Sequence, residues 1–191
     1  MPKSENKHHI LNLVTQSKKG DRKAQRDLYR HFYGYGMTIC IRYAKNREEA
    51  EEIVNDGFVK IFRNLNKFDT KYSFRAWLRR IMINAAIDHH RRNKKHHHTI
   101  DIAHAQHVTS DITGLDNVVL QDLLKLVQQL APSYRMVFNL YAIEGYKHRE
   151  IADQLGITEG TSKSNLAVAR HKLQKMLVGL GHNQKGKVYG R

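Results

Sequence analysis

Apolar residues recur along this chain at spacings of three and four, and runs that alternate apolar with polar are scarce. Ala50, Ile53, Val54, Gly57, Phe58, Ile61, Phe62 and Leu65 follow one helical face for about four turns. After a loop over residues 67–73, Phe74, Trp77, Leu78, Ile81 and Ala85 repeat the pattern. Upstream, Gly20 and Asp21 open a helix whose apolar face is Ala24, Leu28, Phe32 and Tyr35. Downstream, Val119, Leu123, Leu126, Val127 and Leu130 form a stripe that Ala131 and Pro132 end. Ser133 is then expected to cap a helix with Val137, Phe138, Tyr141 and Ala142 facing inward. The only prolines are Pro2 and Pro132, so little interrupts helix. The expected class is all-α.

Residues 148–170, HREIADQLGITEGTSKSNLAVAR, carry the sharpest local signal. Ile151 and Leu155 share a face, and Ala152 is small enough for a second helix to cross closely. Gly156 suits a left-handed helix end, Ile157 returns toward the core, and Thr158 can cap a second helix with Glu159 in its first turn. On that second helix Leu166, Ala169, Leu173 and Leu177 form the buried stripe, opposite the small-residued face of Gly160, Thr161, Ser164, Ala167, Val168 and His171. Lys163 and Arg170 flank that face, within reach of phosphates or base edges. The segment reads as a DNA-binding helix-turn-helix rather than an ordinary helical hairpin.

Charge points the same way. The 191 residues hold 33 Lys and Arg against 18 Asp and Glu, a net charge of +15 that favours a polyanionic partner. No apolar run is long enough to span a bilayer, and MPKSENKHHI lacks the apolar core of a signal peptide, so a cytoplasmic location is expected. The single cysteine, Cys40, cannot form an internal disulfide and reads as a core residue. The clusters at His8 and His9, His89 and His90, and 96–98 invite a metal reading, but adjacent histidines point different ways on a helix, so no metal site and no cofactor are expected.

Between His96 and Leu124 there is no Lys or Arg, yet Asp101, Asp111, Asp116 and Asp122 are present. With Ser110, Thr113 and Gly114 this stretch reads as a flexible linker between two small helical domains. The expected boundaries are an N-terminal extension over 1–21, a first domain over 22–95, the linker over 96–117, a second domain over 118–178 and a mobile basic tail over 179–191.

The first domain has two polar faces. Glu48, Glu52, Asn55 and Asp56 make an acidic patch in a basic protein, which charge alone reads as a solvated face. Arg75, Arg79, Arg80 and Asn84 run on into a basic stretch from His89 to Lys95, near the aromatics Phe68, Tyr72 and Phe74. Cations beside aromatics suit single-stranded nucleic acid, where phosphates pair and bases stack. Phe74 and Trp77 are expected mainly in the core, whereas Tyr72 is open to either role.

Two stretches, AEEIVNDGFVKIF with FRAWLRRIMINAAIDHHRR, and YRMVFNLYAIEGYKHREIADQLGITEGTSKSNLAVARHKL, resemble bacterial RNA polymerase sigma factors of the extracytoplasmic-function class. The resemblance covers about residues 22–92 and 118–178, and the lack of a region 1.1 or folded region 3 places the chain in that minimal class. It implies that Glu52, Asn55 and Asp56 bind the clamp helices of core polymerase, which overturns the solvated-face reading. It further implies that Lys67 and Tyr72 belong to a loop holding a flipped base, and that Arg75, Arg79, Arg80 and Asn84 contact the minus-ten strand. Thr161, Ser162, Lys163, Ser164, Ala167 and Arg170 would read the minus-thirty-five element while the domain sits on the polymerase flap. Ser162 stands where relatives often carry valine, and Asn165 and Val168 where many have arginine, which implies weaker or altered minus-thirty-five reading. The acidic linker fits a connector like region 3.2. An anti-sigma factor is an implied partner, and the free chain is expected to be a monomer without membrane insertion.

Two alternatives remain at this level. A stand-alone helix-turn-helix repressor or activator would bind duplex DNA unaided. A recombinase or transposase would need a nucleophile among arginines or a metal-binding carboxylate cluster, and neither constellation stands out.

Overall fold

A computed structural model describes residues 3–97 and 118–188, with side chains described over 8–93 and 121–178. The described residues are helical apart from turns and short connections, and the chain divides into two compact units, Met1–His89 and His90–Arg191. The stretch expected as a linker lies almost wholly outside the described residues.

The first unit contains α1 (Lys3–Lys18), α2 (Arg22–Cys40), α3 (Arg47–Asn64), a 3-10 turn at Leu65–Lys67, and most of α4 (Phe74–His97). The N-terminal stretch, set apart as an extension on sequence grounds, is a helix that packs along α2 and buries Leu13, Val14 and Ser17. Gly20 takes φ +86 between the two helices, and the Asp21 carboxylate accepts from the amides of Lys23 and Ala24 at 2.8 and 3.3 Å. Asn46 caps α3 in the same way, through the Glu49 amide at 3.0 Å. Leu28, Phe32, Ile39, Ile53, Val54, Ile61, Leu78 and Met82 are buried, so the faces expected of α2 and α3 do form the core. The Cys40 thiol is also buried, with Sγ 4.0 Å from Met82 Sδ. His89, expected on the basic side of α4, instead turns inward, and its Nε2 meets Glu49 Oε1 at 3.0 Å. A largely desolvated carboxylate at the start of α3 needs a polar partner there.

The second unit contains α5 (Val118–Gln128), α6 (Pro132–Phe138), a π-helical turn at Asn139–Ile143, α7 (His148–Leu155) and α8 (Glu159–Val188). Its core includes Leu124, Leu130, Met136, Val137, Leu140, Ile151, Leu155, Leu166 and Ala169. Several inward assignments shift here. Leu123 is exposed and Leu124 is buried, although Gln121, Asp122, Lys125 and Gln128 gather on one face of α5 and Leu123 lies on the opposite, apolar side. Ser133 does not cap α6, since Pro132 with its fixed φ occupies the first helical position and Ala131 precedes it. Tyr141 and Ala142 face solvent while Asn139 and Leu140 are buried. The buried Met136, Val137 and Leu140 keep helical spacing, so the inward face lies one residue earlier than expected and leaves Tyr141 and Ala142 outside it; in the π-helical turn the Glu144 amide reaches back five residues to the Asn139 carbonyl at 3.0 Å. Leu177, expected on the buried stripe of α8, is 46% exposed. The backbone of α8 continues to Val188, so the stretch from Gly179 read as a mobile tail is helical up to that residue.

Candidate nucleic-acid interface

In the first unit, loop 68–73 sits between the 3-10 turn and α4. Phe68 anchors it: its ring is buried 5.2 Å from both Phe74 and Trp77, and its carbonyl accepts from Lys18 Nζ of α1 at 2.8 Å. Asp69 Oδ1 accepts the Lys71 amide at 2.9 Å, and the Asp69 carbonyl accepts the Tyr72 amide at 3.1 Å, so the loop turns tightly on itself. The outcome is a rigid base with Tyr72 at its tip, 72% exposed. Phe74 is buried and Trp77 half-buried, in keeping with their helical spacing. Lys67 is exposed at the end of the 3-10 turn.

The basic residues of α4 form two lines rather than one. Arg75 and Arg79 lie one turn apart on the first line, and the Arg75 guanidinium sits 3.9 Å from the centroid of the Tyr35 ring on α2. Arg80 and Asn84, both exposed, form a second line about 100° round from Arg79. Further along, Asp88 is paired with Lys60 of α3.

The acidic face of α3 presents Glu52 and Asn55 to solvent and leaves Asp56 half-buried. Asn55 Oδ1 accepts from the Tyr29 hydroxyl of α2 at 3.0 Å, which fixes the amide's orientation. Burial, followed by the nearby Glu51 charge, raises the Tyr29 and Tyr33 phenols above their ordinary range and keeps them as donors. Val59, one turn beyond Asn55, is 47% exposed. Sequence reading missed it, although an apolar residue off the buried stripe was the available signal.

In the second unit Gly156 ends α7 at φ +62, Ile157 is half-buried, and Thr158 Oγ1 accepts the Thr161 amide at 3.0 Å. Thr161, Lys163, Ser164, Ala167 and Arg170 are exposed on α8. Ser162 is not: it is wholly buried, and its hydroxyl meets His148 Nδ1 of α7 at 2.9 Å. It leaves the set of outward-facing candidates, because the crossing of α7 over the start of α8 covers that position. Lys163 Nζ pairs with Glu159 Oε1 at 2.7 Å, and this bond and charge hold the Glu159 carboxyl below its ordinary range. The Arg170 guanidinium lies 5.7 Å from the centroid of the Tyr141 ring, which in turn stacks on His148. Neither Tyr141 nor His148 was a sequence candidate.

Among the described residues no group of three or more His, Cys, Asp or Glu could hold a metal ion. Nor is any helix there long and apolar enough to cross a membrane.

Two helical units, one with an exposed aromatic loop beside rows of arginine and the other a helix-turn-helix, define a modular DNA-binding protein. Residues 28–96 match the family model Sigma-70 region 2, and residues 120–173 match Sigma-70, region 4. The chain is 31% identical over 180 residues to the ECF RNA polymerase sigma factor SigW of Bacillus subtilis, covering 88% of this chain and 96% of that one. It is 27% identical over 177 residues to the RNA polymerase sigma-H factor of Pseudomonas aeruginosa, covering 86% and 92%. A solved complex of the sigma factor RpoE with the anti-sigma factor NepR from Bartonella quintana aligns at 23% identity and TM-score 0.47, over 80% of this chain and 97% of that one. The chain belongs to the sigma-70 family, as an extracytoplasmic-function (ECF) RNA polymerase sigma factor. It directs RNA polymerase to promoters to initiate transcription, and is a non-catalytic subunit of that enzyme. The repressor and recombinase alternatives are thereby set aside.

Proposed function

We propose that the two units divide promoter recognition at specific side chains. Glu52, Asn55 and Asp56 engage the clamp helices of core polymerase, with Val59 as an apolar contact beside them. Lys67 and Tyr72 hold an unstacked non-template base, while Arg75, Arg79, Arg80 and Asn84 track the minus-ten strand. Thr161, Lys163, Ser164, Ala167 and Arg170 face the minus-thirty-five duplex, with the second unit seated on the polymerase flap. The protein acts in the cytoplasm, is monomeric when free, and is held in check by an anti-sigma factor.

The observation that carries this reading is Tyr72, a large ring 72% exposed on a loop whose base is locked by Phe68 and Lys18. Exposing an aromatic on a rigid mount gives a base somewhere to stack, and trapping an unstacked base offsets the few kcal/mol of unpairing. The test begins with size-exclusion of the chain with core polymerase lacking sigma, then transcription from a promoter library. The parent is expected to co-elute and define start sites. Tyr72→Ala is expected to keep polymerase binding and lose about tenfold or more in promoter opening, since a base stacked on an aromatic is worth ~1–3 kcal/mol. Unchanged opening by that variant, read by permanganate reactivity of unpaired thymines, would remove the assignment.

A further inference from the structure

We infer that Tyr141 and His148 position Arg170 for minus-thirty-five recognition and are thereby specificity-determining, although neither is among the proposed DNA contacts; the inference rests on Arg170 being a DNA contact. Three independent features converge. Tyr141 lies on the π-helical turn at Asn139–Ile143, off the face that Met136, Val137 and Leu140 bury, and its ring reaches the surface. Its ring stacks on the His148 ring at 4.5 Å between centroids and 21° between planes. The Arg170 guanidinium lies 5.7 Å from the same tyrosine centroid, within the range where a cation is attracted to an aromatic face.

The base of this chain of contacts is Ser162. Its buried hydroxyl needs a partner, and His148 Nδ1 at 2.9 Å supplies one, which sets the imidazole's orientation. A buried polar contact on α8 thus fixes a ring on α7, that ring fixes Tyr141, and Tyr141 restrains an arginine two turns further along α8. A long side chain held in place loses less freedom on binding, so the restraint favours the one register in which Arg170 meets its target. Ser162 acts from inside the domain, as a positioning residue.

The experiment uses holoenzyme assembled from the full chain and core polymerase. The probe is a labelled duplex promoter selected from a randomised library by the same holoenzyme, compared with a duplex whose minus-thirty-five element is scrambled. Tyr141→Leu is expected to weaken promoter binding about three- to fivefold, the scale of an exposed cation and ring pair, and to narrow the preference over the scrambled duplex. Tyr141→Phe keeps a ring and is expected to match the parent. Ser162→Ala is expected to move affinity the same way, and neither change is expected to add to Arg170→Ala. If Arg170→Ala weakens binding but Tyr141→Leu does not, or if the two losses add in full, the positioning role is overturned while the Arg170 contact stands. If Tyr141→Leu also weakens polymerase binding, its role is structural and the inference fails. If Arg170→Ala binds like the parent, both the contact and the inference fail.

Discussion

Gly57 offers a test of how tightly the first unit is built. It sits in mid-helix on α3, where alanine would ordinarily gain ~1 kcal/mol in helix propensity. A Cβ there would lie 2.4 Å from Met82 Sδ, 3.1 Å from Met82 Cε and 3.8 Å from Ala85 Cβ. Ordinary contacts need about 3.5–4.0 Å, so the Met82 thioether must retreat by more than about 1 Å. Met82 is flexible but wholly buried, and its retreat is hemmed in by Cys40 Sγ at 4.0 Å and by Gly36, whose own added Cβ would meet Met82 Cε at 3.4 Å. Overpacking of this kind costs about 1–3 kcal/mol, which outweighs the propensity gain and leaves Gly57→Ala destabilising by about 1 kcal/mol. Gly34, exposed on α2 with nothing within 4 Å of an added Cβ, is the control: the same substitution there is expected to stabilise by up to ~1 kcal/mol. Trp77 is the sole tryptophan and lies in this unit, so its fluorescence during thermal unfolding of the full chain reports the first unit selectively. With ~4–8 °C per kcal/mol for a domain of this size, the two variants should move the midpoint in opposite directions. A rise with Gly57→Ala equal to that with Gly34→Ala would show that Met82 moves aside freely, and the packing argument would be wrong.

Lys18→Met removes the α1 tie to the Phe68 carbonyl; holoenzyme carrying it is expected to bind promoter duplex normally but open it several-fold less, as read by 2-aminopurine fluorescence in the minus-ten element. Equal opening would mean that α1 does not steady the loop. Glu159 has a lowered pKa, so its pairing with Lys163 is present at neutral pH and is lost as acidification passes through that lowered value. Glu159→Gln at neutral pH is therefore expected to free Lys163, tighten minus-thirty-five binding and steepen its log salt slope by about 1, which a salt titration of duplex binding can check. Burial pushes the Cys40 thiol up to about 12, so a maleimide at pH 8 should leave the folded chain unmodified and label it quickly only in denaturant.

Much of this architecture was legible in the sequence because α2, α3, the first half of α4 and the helix-turn-helix carry clean amphipathic spacing with matching cap residues. Asp21, Gly156 and Thr158 each end or start a helix through the local chemistry that their residue types suggest. Legibility fell where a local rule was overridden. Around Tyr141 the inward face is set by Met136, Val137 and Leu140, and the largely apolar run from Met136 to Ile143 fits two phases one residue apart. Ser162 reads as a small outward residue until the angle at which α7 crosses α8 is known. His89 looks like part of a basic run, but Glu49, forty positions earlier, draws it into the core. The misses at Ser162 and His89 depend on partners farther along the chain, and periodicity carries no record of such partners.

Pairings within the protein also bear on why a chain of net charge +15 need not be an indiscriminate DNA binder. Several cations that the site reading aims at DNA are already engaged within the protein: Lys163 by Glu159, Arg75 by the Tyr35 ring and Arg170 by the Tyr141 ring. Lys60, on the neighbouring α3, is engaged by Asp88. A pair such as Lys163 with Glu159 must be given up for a phosphate contact, which discounts the counterion-release gain that otherwise drives non-specific binding. The ring contacts act differently, since a guanidinium can keep its aromatic partner while its edge reaches DNA, so they orient more than they compete. Weak contacts in two separate units become useful once a third body holds both near one promoter, because the second contact is then effectively intramolecular. Core polymerase is that body for a sigma factor. It follows that a charge change such as Glu159→Gln should raise binding of the isolated chain to random duplex proportionally more than it raises holoenzyme transcription from a selected promoter.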